Sequence, residues 1–292
     1  MKAGEYEVAK QYILYRQERA EKRMATKETI KSKFEHRELN VMKDDGRLEL
    51  FDISKIKRTY DQIIIGYEDL CPFEDLEKNL VKYLVDEIKT SDIMKMMVKA
   101  AIDLISVDNI YWQFIAGRLL TSDLYKQSSR QRGIAVKELY TPESFLQLVE
   151  EYVEGQLYYQ DFLNKYSKED FLKAGEYIKA ERDMDYGYTT LLMFKKRYLL
   201  NPNGVIKELP QHMYMAVAMF LAVPEKQEER LAKALEFYDV ISTQKLSLAT
   251  PTLMNARRKF HQLSSCFVLT ADDDLRGIYH TIENVAQLSK LG

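Results

Sequence analysis

From Thr141 to about residue 243 the sequence offers one helix pattern after another, with few residues able to interrupt it. The whole chain of 292 residues holds only 11 glycines and 6 prolines, against 46% hydrophobic and 30% charged residues. Glycine and proline punctuate local structure, so this balance specifies a well-folded, mainly α protein with small β content rather than a disordered one. The length suits about two domains, each with its own core. The most apolar stretch, Met213 to Val223, is shorter than the roughly 18 residues that span a bilayer. Met1-Lys2-Ala3-Gly4-Glu5 lacks an apolar signal core. A net charge of -2, with basic residues spread along the chain, supplies no field to gather nucleic acid. Neither a membrane nor nucleic acid is therefore an expected partner, and a cytoplasmic location is expected.

Cys71 and Cys266 are too far apart for a disulfide framework and lack CxxC spacing. His36, His212, His261 and His280 form no HxxxH or HExxH pair, so no metal site is expected in this chain.

Residues 5 to 26 place Val8, Ala9, Tyr12, Ile13 and Arg16 at helical spacing. Val41-Met42-Lys43 and Leu48 to Phe51 read as a hairpin around Asp44-Asp45-Gly46-Arg47, with glycine where positive φ is cheap. Asp52 can cap a following helix whose Ile53, Ile56, Tyr60, Ile63 and Ile64 share a face. Pro72 starts another, with Leu76, Leu80, Leu84 and Ile88 at intervals of four. Thr90-Ser91-Asp92 supplies acceptors at the next helix start, and helices near 92–105 and 109–126 complete the unit. Ser128 to Gly133 reads as a solvated linker, which puts a boundary near 130–138. Thr141-Pro142 opens a helix, Ser167 to Asp170 is an acidic capping box, and Ser265 to Leu269 reads as a buried strand. Residues 7–16 echo residues 112–119, which is either coincidence or the last helix of a similar unit.

Two constellations carry chemistry. In the first, Lys43 beside a turn, Lys55 on the next helix, Thr90 at a helix start and Lys126 offer what a triphosphate needs, ammonium groups and free N–H donors. Charge and spacing alone favour four ordinary solvated surface residues, because exposed lysine is common. However, Val41 to Gly46, Phe51 to Ile56 and Ile88 to Ile93 together resemble an ATP-cone. The resemblance implies an overall-activity site for ATP or dATP formed by Lys43, Glu49, Leu50, Phe51, Asp52, Ile53, Ser54, Lys55, Thr90 and Lys126. Met94 departs from the pattern, standing where some cones place a histidine, and a thioether lacks that donor.

In the second, Thr250-Pro251-Thr252 puts two hydroxyls on a stiffened loop, and Ser264-Ser265 puts two more beside Cys266. Such groups can hold phosphate oxygens next to a thiol, although a lone strand cysteine is ordinarily inert and buried. Leu246 to Leu253 with Gln262 to Cys266 resembles the opening of the ten-stranded α/β barrel of the class I ribonucleotide reductase large subunit. Glu181 to Met184 and Phe237 to Ser242 agree, so the resemblance covers about residues 40–292. It implies that Cys266 is one of the redox pair, that Thr250, Ser265 and Cys266 contact a ribonucleoside diphosphate, and that Cys71 has neither role. It also implies a specificity site for deoxynucleoside triphosphate effectors at Asp273, Asp274 and Leu275. On residue chemistry alone, the three acids at Asp272 to Asp274 simply suit a helix dipole.

The resulting domain expectation is a helical remnant of a preceding cone at 1–38, an ATP-cone at 39–130, the helical reductase domain at 131–245 and the start of the barrel at 246–292. The family's radical cysteine, the partner of Cys266, its catalytic glutamate and its relay tyrosines would fall after Gly292. That is the pattern of a split gene, an intein-interrupted product or a truncated chain, inactive alone. Implied partners are a chain carrying the rest of the barrel, a radical-generating small subunit holding the metal, thioredoxin or glutaredoxin, and a second large subunit. The other reading is a free-standing regulatory module that senses ATP or dATP without catalysis.

Overall fold

The computed structural model describes residues 3–43 and 45–291. Asp44, in the expected hairpin turn, lies outside them. The chain forms two compact units: residues 1–123 with 187–189, and residues 124–186 with 190–292.

The first unit begins with α1 (Ala3–Glu35), which continues past the expected end near residue 26. Its early turns leave Val8, Tyr12, Ile13, Leu14 and Tyr15 exposed, while Phe34 near its end meets the Phe51 ring at 5.9 Å. The expected hairpin forms from β1 (Asn40–Met42) and β2 (Leu48–Leu50), antiparallel with Val41 opposite Glu49. Gly46 takes φ 82°, where a Cβ would be strained, and the turn closes through Lys43 N–H to Arg47 O at 2.9 Å. Asp52 caps α2 (Ile53–Ile63), its carboxylate accepting the Ser54 N–H at 2.9 Å. Ile56, Tyr60 and Ile63 of that helix are buried.

The spacing of Leu76, Leu80, Leu84 and Ile88 does not mark one helix. α3 (Phe73–Leu80) ends at Leu80, and Ile88 lies in β3 (Ile88–Lys89), parallel to β1, giving the order β2-β1-β3. All four side chains are buried. Burial rather than helical continuity therefore explains their apolarity. α4 (Thr90–Ile102) follows at once, and α5 (Trp112–Arg132) buries Trp112, Ile115, Ala116 and Leu119.

The expected linker at Ser128 to Gly133 is instead the end of α5, and the division between units falls within that helix, after Asp123. In the second unit Ser128 is fully buried, its hydroxyl donating to Lys207 O at 2.7 Å, and Arg132 donates to Ser144 O. Polar composition misled here because these side chains satisfy buried carbonyls. Gly133 stops the helix at φ 66°. Thr141 then caps α6 (Pro142–Glu154), and α7 (Phe162–Lys165) precedes α8 (Lys168–Tyr177). Ser167 and Asp170 make the reciprocal capping box at the start of α8. After α9 (Tyr188–Met193), α10 (Pro210–Leu221) is buried at every position from Pro210 to Met219 and packs on α11 (Gln227–Ser242).

Two expectations near the C-terminus are corrected. Thr250-Pro251-Thr252 is not a loop but the first turn of α12 (Thr250–Asn255), with Pro251 at a position where a missing N–H costs nothing. Ser265 to Leu269 is not a buried strand: residues 261–272 carry no regular structure, and Val268 is 97% exposed. A strand needs a neighbour to pair its backbone groups, and among the described residues none pairs with this segment. α13 (Leu275–Leu291) leaves Leu275, Ile278, Ile282 and Val285 exposed. No described helix is long and apolar enough to cross a membrane.

Candidate functional sites

In the first unit, the hairpin and the start of α2 border a cavity of about 610 Å³. Leu50, Phe51, Asp52, Ile53 and Ser54 line it together with Phe34 and Arg37. Hydrogen bonds from Ser54, first from its side chain and then from its backbone, hold the Asp52 carboxyl below its usual range, so the wall carries a carboxylate beside apolar surface. Phe34 and Arg37 arrive from α1 and the turn after it, elements without a nucleotide role in the sequence reading.

Successive residues of a strand face opposite ways, and β2 divides the expected site accordingly. Leu50 lines the cavity, whereas Glu49 does not; its carboxylate meets Lys43 Nζ at 3.1 Å and Lys55 Nζ at 3.9 Å. The Thr90 hydroxyl donates to Met42 O at 3.2 Å, beside Lys43, instead of capping its own helix. Met94 is buried at 8% exposure. Lys126 is exposed on α5 and falls in the second unit.

In the second unit Thr250 is exposed, with its hydroxyl 3.1 Å from the Tyr198 hydroxyl. Ser265 and Cys266 are adjacent on the exposed segment, Oγ to Sγ 3.7 Å. No described hydrogen bond joins them to Thr250. Asp274 caps α13, its carboxylate accepting the Gly277 N–H at 2.9 Å. A cavity of about 550 Å³ opens there, lined by Asp272, Asp274, Arg276, Tyr279, His280 and Glu283. Asp273 and Leu275 are exposed outside it.

Sequence reasoning missed two buried polar clusters of the second unit. Arg257 and Glu208, both fully buried, pair through Nε–Oε1 and Nη2–Oε2 contacts of 2.6 Å each. Burial opposes the guanidinium charge, but the adjacent Glu208 carboxylate outweighs it and holds the group above its ordinary pKa. Asp183, also fully buried, accepts from Tyr125, Tyr140 and Gln211 at 2.8, 2.6 and 2.9 Å. Gln211 in turn accepts from Tyr238 at 2.7 Å. Charged side chains are mostly solvated, so neither cluster announces itself in the sequence.

The family model described as ribonucleotide reductase, all-alpha domain, matches residues 184–261. The ribonucleoside-diphosphate reductase subunit alpha of Helicobacter pylori (strain ATCC 700392 / 26695) is 37% identical over 256 residues, 87% of this chain and 31% of that protein. The subunit alpha of Treponema pallidum (strain Nichols) is 32% identical over 287 residues, 97% of this chain and 31% of the relative. The ribonucleoside-diphosphate reductase 1 subunit alpha of Escherichia coli (strain K12) is 32% identical over 261 residues, 87% and 33% respectively. The chain thus spans about a third of the length of the curated relatives it matches.

Proposed function

This chain belongs to the ribonucleotide reductase large-subunit family, and on that premise we propose that it supplies the front portion of a ribonucleoside-diphosphate reductase. The observation that carries the reading is the exposed Cys266 thiol beside the Ser265 hydroxyl, in a chain alike to such subunits over 87% of its length. An accessible thiol can exchange electrons where a buried one cannot. Cys266 and a second cysteine, from the remainder of the barrel, give up two electrons and two protons and become a disulfide. The ribose 2′-hydroxyl leaves as water and C2′ gains a hydrogen, which balances the reaction. Thioredoxin or glutaredoxin then restores the thiols. Thr250 and Ser265 donate hydrogen bonds to the substrate, and a small subunit supplies the radical.

The cavity of the first unit is the ATP or dATP site of this proposal. Its aromatic and aliphatic wall suits a base, and the Asp52 carboxylate suits sugar hydroxyls. Lys43 and Lys55, which share Glu49 on the other side of β2 and do not line the cavity, would meet the triphosphate only where it extends past that strand. The α13 cavity with Asp274 is the effector specificity site, and a second large subunit covers the exposed face of α13.

The test combines this chain with the remainder of the barrel, a small subunit and thioredoxin, and follows CDP reduction. Cys266→Ser is expected to abolish multiple turnover while leaving nucleotide binding intact; wild-type turnover by that variant would remove the redox assignment. A second reading, an ATP- or dATP-sensing module without catalysis, draws on a cavity lined wholly by residues of the first unit. It predicts binding by calorimetry and no reduction in any such mixture.

A further inference from the structure

We propose that Tyr198 is a positioning residue of the substrate site, its phenol fixing the direction of the Thr250 hydroxyl, with Arg257 and Glu208 holding both partners of that contact in register. The proposal rests on the reading above that Thr250 contacts the ribonucleotide.

The two hydroxyls lie 3.1 Å apart. A phenol is a better donor than an aliphatic alcohol, so the hydrogen bond runs from Tyr198 to Thr250 Oγ1 and leaves the threonine's own proton to be donated outward. An outward-pointing O–H is what an anionic phosphate or ribose oxygen needs, and a freely rotating one has to be ordered on binding.

One guanidinium secures both sides. Arg257 Nη1 donates to Leu253 O at 2.7 Å, on the helix that begins with Thr250, and Nη2 donates to Tyr198 O at 2.7 Å. Its Nε and Nη2 also grip the two oxygens of Glu208. Glu208 is itself anchored by the Tyr158 hydroxyl at 2.5 Å and the Leu200 N–H at 2.8 Å. The planar fork of arginine fixes angles as well as distances, which a lysine could not do. Tyr198 is further seated against the Phe194 ring, centroids 5.8 Å apart.

The experiment is a double-mutant cycle in the complete reductase assembly, with Tyr198→Phe, Thr250→Val and the double variant. It reads the equilibrium Kd for CDP alongside KM, kcat and Tm. One ordinary hydrogen bond is worth about fivefold in affinity. Tyr198→Phe and Thr250→Val should each weaken CDP by about that factor, in Kd and KM more than in kcat, and the double variant should be no weaker than Thr250→Val alone. Tyr198→Phe should melt with the wild type. Full CDP affinity in Tyr198→Phe, with weakening in Thr250→Val, overturns the positioning role and leaves the substrate contact standing. Multiplying losses in the double variant also overturn it, because the groups would then act independently. No loss in either variant removes the Thr250 contact and the proposal with it.

Discussion

The two cysteines differ in what surrounds them. Cys71 is wholly buried, and burial, reinforced by the charge of Asp75, pushes its thiol up to about 11. Cys266 is exposed. A disulfide reagent at neutral pH should therefore titrate one thiol in the folded protein and a second only in denaturant, with Cys266→Ser removing the fast one; two fast thiols would contradict the burial of Cys71. Asp183 gives a prediction in pH. Burial pushes its carboxyl up to about 6, against hydrogen bonds from Tyr140, Gln211 and Tyr125 that favour the anion. A raised folded-state pKa means that the folded protein holds a proton the unfolded chain releases. The contribution to stability is therefore complete below the ordinary carboxyl value and lost as pH rises through about 6. The shift corresponds to roughly 3 kcal/mol. Asp183→Asn cannot titrate, and its NH2 must replace one of two accepting oxygens, the one Gln211 donates to or the one Tyr125 and Tyr140 donate to. The stability gap between wild type and Asp183→Asn, measured in urea, should widen as pH falls from about 7 to about 4. His212, which burial keeps neutral by lowering its pKa well below the ordinary value, is common to both proteins and drops out of the difference. A gap independent of pH would show that Asp183 keeps one protonation state throughout.

At the scale of elements, the turn and cap chemistry was legible because it is local. Gly46 in the hairpin turn, Asp52 before α2, Thr141-Pro142 at α6 and Ser167 with Asp170 at α8 each satisfy a backbone demand created within a few residues. What α6 and α8 do to each other was not legible. At Gly175 of α8 an added Cβ would stand 2.7 Å from Pro142 Cα and 3.2 Å from Pro142 O. Both are backbone atoms at the start of α6 and cannot swing aside. Gly175→Ala should therefore destabilise the protein by about 1–3 kcal/mol, despite alanine's better helix propensity, because overpacking against backbone exceeds the propensity gain. A raised midpoint in urea would mean that the helices separate freely.

For the chain as a whole, the contrast is between a second-unit core sealed around α10 and a C-terminal segment that is open. Residues 261–272 carry no regular structure, and Phe267, Val268 and Leu269 are exposed at 43%, 97% and 41%. Thermolysin, which cuts before large apolar residues, should nick the free chain there first, well before any bond in α10; early cuts within α10 would contradict its burial. The sequence by itself determined the helical class, the hairpin, most helix starts and the family, because periodicity, caps and motifs are properties of neighbouring residues. It did not determine that Ser265 to Leu269 would stay unpaired, that Ser128 to Arg132 would be helix, that β2 would send Leu50 and Glu49 to different sides, or that Arg257 and Asp183 would be buried. Those outcomes depend on which distant groups arrive to pair a backbone, accept a proton or neutralise a charge, and only the tertiary structure brings such partners together.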